Sequence, residues 1–323
     1  MLKVGVIGVG SMGQNHARVY FNSEKAELVA VADAHPENLE KISKRYNVPG
    51  FHNYLEMLPH VEAVSIAVPT SLHHQVAVDA LSQQKHVLLE KPIASTEPEA
   101  QEIIAAAKKN KVKLMIGHIE RFNPAVAELK KRLERGDLGE IYKIDVQRIG
   151  PFPSRVTDVG VIIDLSVHDL DIISYLINSP PRRLYAEIQQ KLHPHCEDSV
   201  TALIRYKNQI LATLNINYLS PTKIRQLQVF GKKGMFSINY LDQELFFYEN
   251  NSFFQDWESV TEGDMKKIIL PKKEPLQMEI EAFLDSILEN KEPPVSGEQG
   301  EEVLRLANLL LKSAQERSII EVR

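Results

Sequence analysis

Gly8, Gly10 and Gly13 stand in a G-x-G-x-x-G pattern, and Asp33 follows twenty residues after the last of them. Val4-Gly5-Val6-Ile7 is a β-branched run leading into the glycines. A helical pattern follows, and Leu28-Val29-Ala30-Val31-Ala32 is a second apolar run that ends on Asp33. Strand, glycine turn, helix, strand and acid together form a βαβ unit suited to a dinucleotide. Gly8 would turn the chain sharply off the strand. Gly10, with Ser11 and Met12 beside it, would let a pyrophosphate approach the backbone, and Gly13 would let the helix pack close to the strand. The helix N-terminus adds unpaired N–H groups and partial positive charge. Asp33 can accept hydrogen bonds from an adenosine ribose. Its carboxylate would repel a 2′-phosphate, and Ala34-His35-Pro36 offers no Lys or Arg to hold one. NAD is therefore expected over NADP. The competing reading is a tight turn in an ordinary α/β protein.

Two further groups carry ionisable side chains. Glu90-Lys91-Pro92 closes the run His86-Val87-Leu88-Leu89. In a parallel sheet Lys91 would stand at the carboxyl end of its strand, where ligands of open α/β sheets bind. Pro92 biases Lys91 away from helical dihedrals. The alternative is a solvated Glu–Lys pair in a loop. Further along, the spacing predicts a helix over Val161–Ile177. At 100° per residue, Asp164, His168, Asp171 and Tyr175 fall within about 60° of one another. Most other positions there are Ile, Leu or Val, and a narrow polar stripe on such a helix must meet water, a polar partner or a ligand. Asp164 and His168 are four apart and can touch. A carboxylate beside an imidazole favours its charged form and fixes its orientation, which suits a general base. The alternative is a surface stripe with a satisfied histidine.

The elements that must position these groups can be read from the rest of the chain. Its 323 residues suggest two domains, and 43% hydrophobic with 25% charged residues suits a globular protein. A formal charge of −5 leaves no domain-wide basic field for nucleic acid. Cys196 is the only cysteine, so no intrachain disulfide framework exists. No run approaches the roughly 18–20 apolar residues that span a bilayer. The N-terminal apolar run is broken by glycine and lacks a cleavage site, so no membrane partner and a cytoplasmic location are expected. Pro36–Tyr46, Leu72–Ser82 and Pro98–Asn110 read as helices, Val61–Val68 and Lys113–Gly117 as strands, and Phe51–Leu58 as a short linker. Strands alternating with such helices imply a parallel sheet covered on both faces.

After the amphipathic helix Pro124–Arg135 the pattern changes. Ile141–Ile149, Arg183–Leu192, Ser199–Tyr206, Ile210–Tyr218, Ile224–Phe230 and Gly234–Tyr240 alternate or are rich in β-formers. They predict a largely antiparallel sheet with one face buried. Phe246-Phe247-Tyr248 reads as strand and core. Helices over Leu276–Glu289 and Glu298–Gln315 close the chain. The expected division is 1–120 and 121–323, with the last helix free to pack back on the first domain. His193-Pro194-His195-Cys196 has no acidic or cysteine partner at a typical spacing, so no metal is expected.

Together these pieces resemble the Gfo/Idh/MocA family of nicotinamide-dependent sugar and polyol oxidoreductases, over nearly the whole chain. The resemblance is carried by the glycine unit, Ala67-Val68-Pro69-Thr70-Ser71-Leu72-His73, Glu90-Lys91-Pro92, Gly117 with Arg121-Phe122, Asp164-Leu165-Ser166-Val167-His168-Asp169, Glu197-Asp198 and Pro294-Val295-Ser296-Gly297-Glu298. It implies an N-terminal Rossmann domain, a doubly wound parallel sheet, plus a C-terminal α+β domain whose open sheet mediates homo-oligomers. It implies that Thr70, His73, Glu90 and Lys91 join the glycines and Asp33 around NAD, and that Lys91, Asp164 and His168 are catalytic. Gly160 stands alone where the family has a glycine pair, and Ser166 where glycine is frequent. Gly117-His118-Ile119-Glu120-Arg121-Phe122-Asn123-Pro124 resembles the nucleotide-sugar branch and implies Arg121 in the substrate pocket. A diphosphate needs cations, which Arg suits best. Arg148, Arg155, Lys223 and Arg225 are candidates, Arg155 first because it lies just before the Asp164 helix. Arg121 paired structurally inside the domain interface is the alternative. The substrate expected is thus a nucleotide sugar, with a free sugar, inositol or other polyol as alternative. An NAD-binding sensor without turnover is the alternative of another class, and intact Lys91, Asp164 and His168 argue against it.

Overall fold

The computed structural model describes residues 1–153, 159–250 and 263–322. The chain forms two compact units, Met1–Ile119 with Glu274–Arg305 and Glu120–Lys273 with Leu306–Arg323.

In the first unit, β1 (Leu2–Ile7), α1 (Gly13–Phe21), β2 (Ala26–Ala32), α2 (Pro36–Tyr46), β3 (Gly50–Phe51), α3 (Tyr54–Met57), β4 (Ala63–Ile66), α4 (His73–Ser82), β5 (His86–Glu90), α5 (Glu97–Asn110) and β6 (Leu114–Gly117) follow in order. The strands lie parallel as β3-β2-β1-β4-β5-β6. Only Lys3 is exposed on β1, and β4 is buried throughout, as a sheet covered on both faces requires. From β1 the chain builds outward to β3, then returns to β4 on the other side. The carboxyl ends of β1 and β4 therefore flank the switch point where ligands of such sheets bind. The segment expected as a linker after Phe51 holds α3, whose first turn is capped by Asn53 accepting the Leu55 N–H at 3.0 Å. The returning stretch includes α8 (Pro275–Leu288), which covers α1 through the ion pairs Arg18–Glu274 and Lys25–Asp285.

The second unit contains α6 (Pro124–Glu134), β7 (Ile141–Pro151), α7 (Val167–Ile177), and the strands β8 (Pro181–Gln189), β9 (Ser199–Tyr206), β10 (Leu211–Asn217), β11 (Leu219–Gly231), β12 (Gly234–Asn239), β13 (Glu244–Glu249), β14 (Met265–Ile268) and β15 (Ile320–Glu321). The helix α9 (Gly297–Glu316) is divided between the two units at Arg305 and Leu306. Among the described residues the sheet runs β14-β13-β12-β11-β7-β10-β9-β8-β15. It is largely antiparallel, as expected, with one parallel pair between β7 and β10. Alternation places Val200, Ala202, Ile204 and Tyr206 of β9 inside and Thr201 and Leu203 outside, the pattern of a half-buried strand. β14 carries no such alternation, since Met265, Lys266 and Lys267 are all exposed, and its sequence accordingly predicts nothing.

The predicted helix over Val161–Ile177 is not uniform. Ile162–Ser166 is a π-helical turn, and α-helical geometry begins at Val167. π-turns inside helices are rare and concentrate at functional sites. Among the described residues no helix is long and apolar enough to cross a membrane.

Candidate functional site

The three glycines of the turn after β1 have different geometries. Gly8 has φ +82°, and a Cβ there would lie 2.7 Å from the Ala67 carbonyl oxygen. A Cβ on Gly13 would lie 1.7 Å from the Gly8 carbonyl oxygen. The fold itself demands both glycines. Gly10 differs: a Cβ there would meet nothing within 4 Å. Its bareness leaves open space at the start of α1, whose first turn has neither an acidic residue nor a side-chain cap. Exposed Ser11 and half-buried Met12 border that opening. This is the cradle an anionic pyrophosphate needs. Asp33, at the end of β2, accepts the Val9 N–H at 2.8 Å on one oxygen and the His35 N–H at 2.8 Å on the other. It therefore ties the glycine turn to β2, and its remaining lone pairs can accept ribose hydroxyls. These residues fit NAD.

Thr70 is half-buried and opens a short 3₁₀ turn beyond the carboxyl end of β4. The resemblance implies that His73 is a cofactor residue, and the structure turns its ring toward backbone. It is buried, with Nδ1 2.8 Å from the Pro92 carbonyl and Nε2 3.0 Å from the Val68 carbonyl. Each ring nitrogen faces a backbone carbonyl. Two acceptors favour the doubly protonated ring, but burial outweighs them and lowers the His73 pKa; a neutral ring donates to only one carbonyl at a time.

Lys91 follows β5 directly, at the carboxyl end predicted for it, and the Lys91–Pro92 peptide is cis. Glu90 beside it is anchored from behind. Its Oε1 meets His16 Nε2 at 3.0 Å, His16 Nδ1 meets Ser65 Oγ at 3.0 Å, and Tyr20 OH meets the same Oγ at 2.8 Å. Glu90 Oε2 accepts the Lys91 N–H at 3.2 Å. Burial penalises the Glu90 carboxylate, yet His16, Lys91 and that N–H together hold its pKa below the ordinary value. The row Tyr20–Ser65–His16–Glu90 has the look of a nucleophile relay, but Ser65 is fully buried. It fixes the shape of the strand end that carries Lys91. Sequence reasoning did not find it, although the signal exists. His16 and Tyr20 lie four apart on α1, and Ser65 is the one polar residue inside an apolar strand.

In the second unit, Asp164 lies in the π-turn and half-buried His168 in the first turn of α7. Tyr218 OH donates to Asp164 Oδ2 at 2.6 Å. Tyr218 is buried and packs edge-on to Phe152, ring centres 5.7 Å apart. The start of the turn is held by Glu197, whose carbonyl accepts the Val161 N–H at 2.9 Å and whose carboxylate accepts the Ile162 N–H at 3.1 Å. A Cβ on Gly160 would lie 2.0 Å from that carboxylate, which gives the single glycine before the turn its reason. The rest of the expected polar stripe serves a different purpose. Asp171 takes Arg121 bidentately, Nε to Oδ2 at 2.8 Å and Nη2 to Oδ1 at 2.6 Å. Tyr175 lies under the Arg121 guanidinium, 5.0 Å from it.

Residues 2–118 match the model of an oxidoreductase family with an NAD-binding Rossmann fold, and residues 130–322 match that family's C-terminal α/β domain. The chain belongs to the Gfo/Idh/MocA oxidoreductases. It is 29% identical to UDP-N-acetylglucosamine 3-dehydrogenase of Acidithiobacillus ferrooxidans over 95% of both chains. A solved structure of that enzyme superposes with a TM-score of 0.89 at 28% identity, covering 98% of each chain. It is 24% identical to myo-inositol 2-dehydrogenase of Thermotoga maritima, over 99% of this chain and 98% of that one.

For a Gfo/Idh/MocA chain the disposition of the cations is informative. The resemblance implies that Arg121 faces substrate; the structure buries it and pairs it with Asp171. Arg148, another candidate, is buried on Asp169, Nε to Oδ2 at 2.6 Å and Nη2 to Oδ1 at 3.1 Å, and reaches Glu120 Oε1 at 3.0 Å. Burial alone would lower the Arg148 pKa, but Asp169 and Glu120 raise it. Burial pushes Asp169 upward against the pull of Arg148; with two short bonds to a guanidinium that keeps its proton, the pair stays ionised. Lys223 is exposed and Arg225 half-buried. Arg155 lies outside the described residues. His193 Nδ1 accepts the His195 and Cys196 N–H groups at 3.1 and 2.8 Å. Among the described residues no group of three or more His, Cys, Asp or Glu is placed to hold a metal.

Proposed function

We propose that this protein is a cytoplasmic NAD-dependent dehydrogenase that oxidises the C3 hydroxyl of UDP-N-acetylglucosamine to the 3-keto nucleotide sugar. The observation that carries the reading is Lys91, at the carboxyl end of β5, on the same end of the sheet as the open Gly10 turn. Likeness to UDP-N-acetylglucosamine 3-dehydrogenase along 95% of both chains supports the choice of substrate. An alcohol that gives up hydride must also give up its hydroxyl proton. Bound NAD supplies the hydride acceptor. In this reading Lys91 holds the substrate oxygen and steadies its developing charge, and His168 takes the proton as general base. Asp164, braced by Tyr218, orients them. Gly8, Gly10, Ser11, Met12, Gly13, Asp33, Thr70 and Glu90 form the cofactor side. A polyol such as inositol is the second reading, favoured by the full-length likeness to myo-inositol 2-dehydrogenase. We further propose a homo-oligomer built through the open face of the second unit's sheet, where Leu203 is 46% exposed.

The test is NADH formation with UDP-sugars and free polyols, with a carbonyl trap to draw the reaction forward. Turnover on UDP-N-acetylglucosamine is expected, and Lys91→Met should cut kcat by about 10²–10⁴-fold while NAD affinity holds. Turnover confined to free polyols, or full turnover by the variant, would overturn the reading.

A further inference from the structure

Arg148 on β7 and Arg225 on β11 are direct cross-strand partners in the antiparallel register. Both occupy inward positions, Arg148 in line with buried Ile144 and Val146, and Arg225 in line with buried Leu227 and Val229. Like charges directly opposite on one face destabilise a sheet. Arg148 is neutralised by Asp169 and Glu120. Arg225 is left with the Glu120 oxygen that Arg148 already uses, its Nη1 3.8 Å from Glu120 Oε1, beyond hydrogen-bond reach. Among the described residues its guanidinium makes no side-chain hydrogen bond, and 34% of the side chain is exposed. Burial and Arg148 both press on its charge, and Glu120, Asp169 and Asp164 sustain it. Arg225 thus lies within electrostatic range of the π-turn that carries Asp164. A guanidinium fork held at a partly buried position against a like charge, with its donors unused, is a local rule broken where function is expected.

We propose that Arg225 receives a phosphoryl group of the substrate, its paired N–H groups donating to two phosphate oxygens. The proposal rests on the phosphate-bearing substrate of the preceding section and names the residue that selects it. Arg121 and Arg148 are excluded from that role by their buried carboxylate partners.

The experiment compares wild type, Arg225→Gln and Arg225→Lys, saturated with NAD, on UDP-N-acetylglucosamine, N-acetylglucosamine 1-phosphate and free N-acetylglucosamine. Loss of a charge-assisted pair should raise KM for UDP-N-acetylglucosamine by roughly 10- to 100-fold in Arg225→Gln, with Arg225→Lys in between and the rise confined to phosphate-bearing substrates. A comparable rise with the monophosphate assigns Arg225 to the sugar-linked phosphate, and a rise only with the UDP-sugar to the outer one; either upholds the proposal. Thermal stability separates this from a structural role. Arg225→Gln relieves the facing charges, so Tm should hold or rise, whereas a structural Arg225 would lower Tm and spare KM. An unchanged KM, or an equal rise for free sugar, overturns the proposal. If wild type turns over only free polyols, the substrate reading fails by itself. Thermal protection by UDP then decides: protection lost in Arg225→Gln upholds the phosphoryl site, and no protection of wild type overturns it.

Discussion

A methyl group added at Gly10 and one added at Gly13 would have opposite consequences. At Gly10 it enters open space beside the start of α1, and at Gly13 it strikes the Gly8 carbonyl. Gly10→Ala is therefore expected to keep the Tm of the parent and weaken NADH binding by about tenfold or more, because a side chain stands where the pyrophosphate approaches. Gly13→Ala should lower Tm first, as the helix is forced off the strand. Fluorescence titration of NADH beside a melting curve checks both, and equal NADH affinity in Gly10→Ala would show the opening to be unused. The same distinction between charge for the fold and charge for a ligand separates the arginines. Removing one partner of a buried ion pair typically costs about 3–5 kcal/mol, so Arg121 and Arg148 are held by stability, while half-buried Arg225 meets Glu120 only at 3.8 Å, beyond hydrogen-bond reach.

Among the elements, two are shaped by groups distant in sequence. The π-turn starts where Glu197 accepts the Val161 and Ile162 N–H groups. The end of β5 is shaped by Glu90, gripped by His16 of α1. Glu90 has its pKa depressed on folding, so the unfolded chain binds the proton more tightly and stability is lost as pH falls. Its contribution is fully present above the ordinary value of 4.5 and disappears as pH drops through the lower folded value. Urea unfolding across that range should show the acid loss of stability reduced in Glu90→Gln. An identical acid limb in variant and parent would remove Glu90 from the account. The helix over 161–177 illustrates what periodicity reads and misses. Its length and apolar character follow from the sequence, but a π-turn depends on Glu197, more than thirty residues later, and on Gly160 giving it room.

At the scale of the whole molecule, the proposed oligomer is checked by light scattering behind a sizing column. A mass of two or four chains is expected, and a monomer at working concentration would end the proposal; Leu203→Lys should shift the mass toward one chain. The sequence by itself determined the doubly wound first sheet, the half-buried second sheet, the NAD-binding turn and the strand end bearing Lys91. These depend on contacts along a few residues, or on an alternation that burial imposes strand by strand. Only the tertiary structure decided the partners: His16 with Glu90, Arg121 with Asp171, Arg148 with Asp169, Tyr218 with Asp164. The sequence offers several cations for each carboxylate at no characteristic spacing. Which one meets it depends on which strands and helices become neighbours, and the cost of burying an unpaired charge then selects the arrangement.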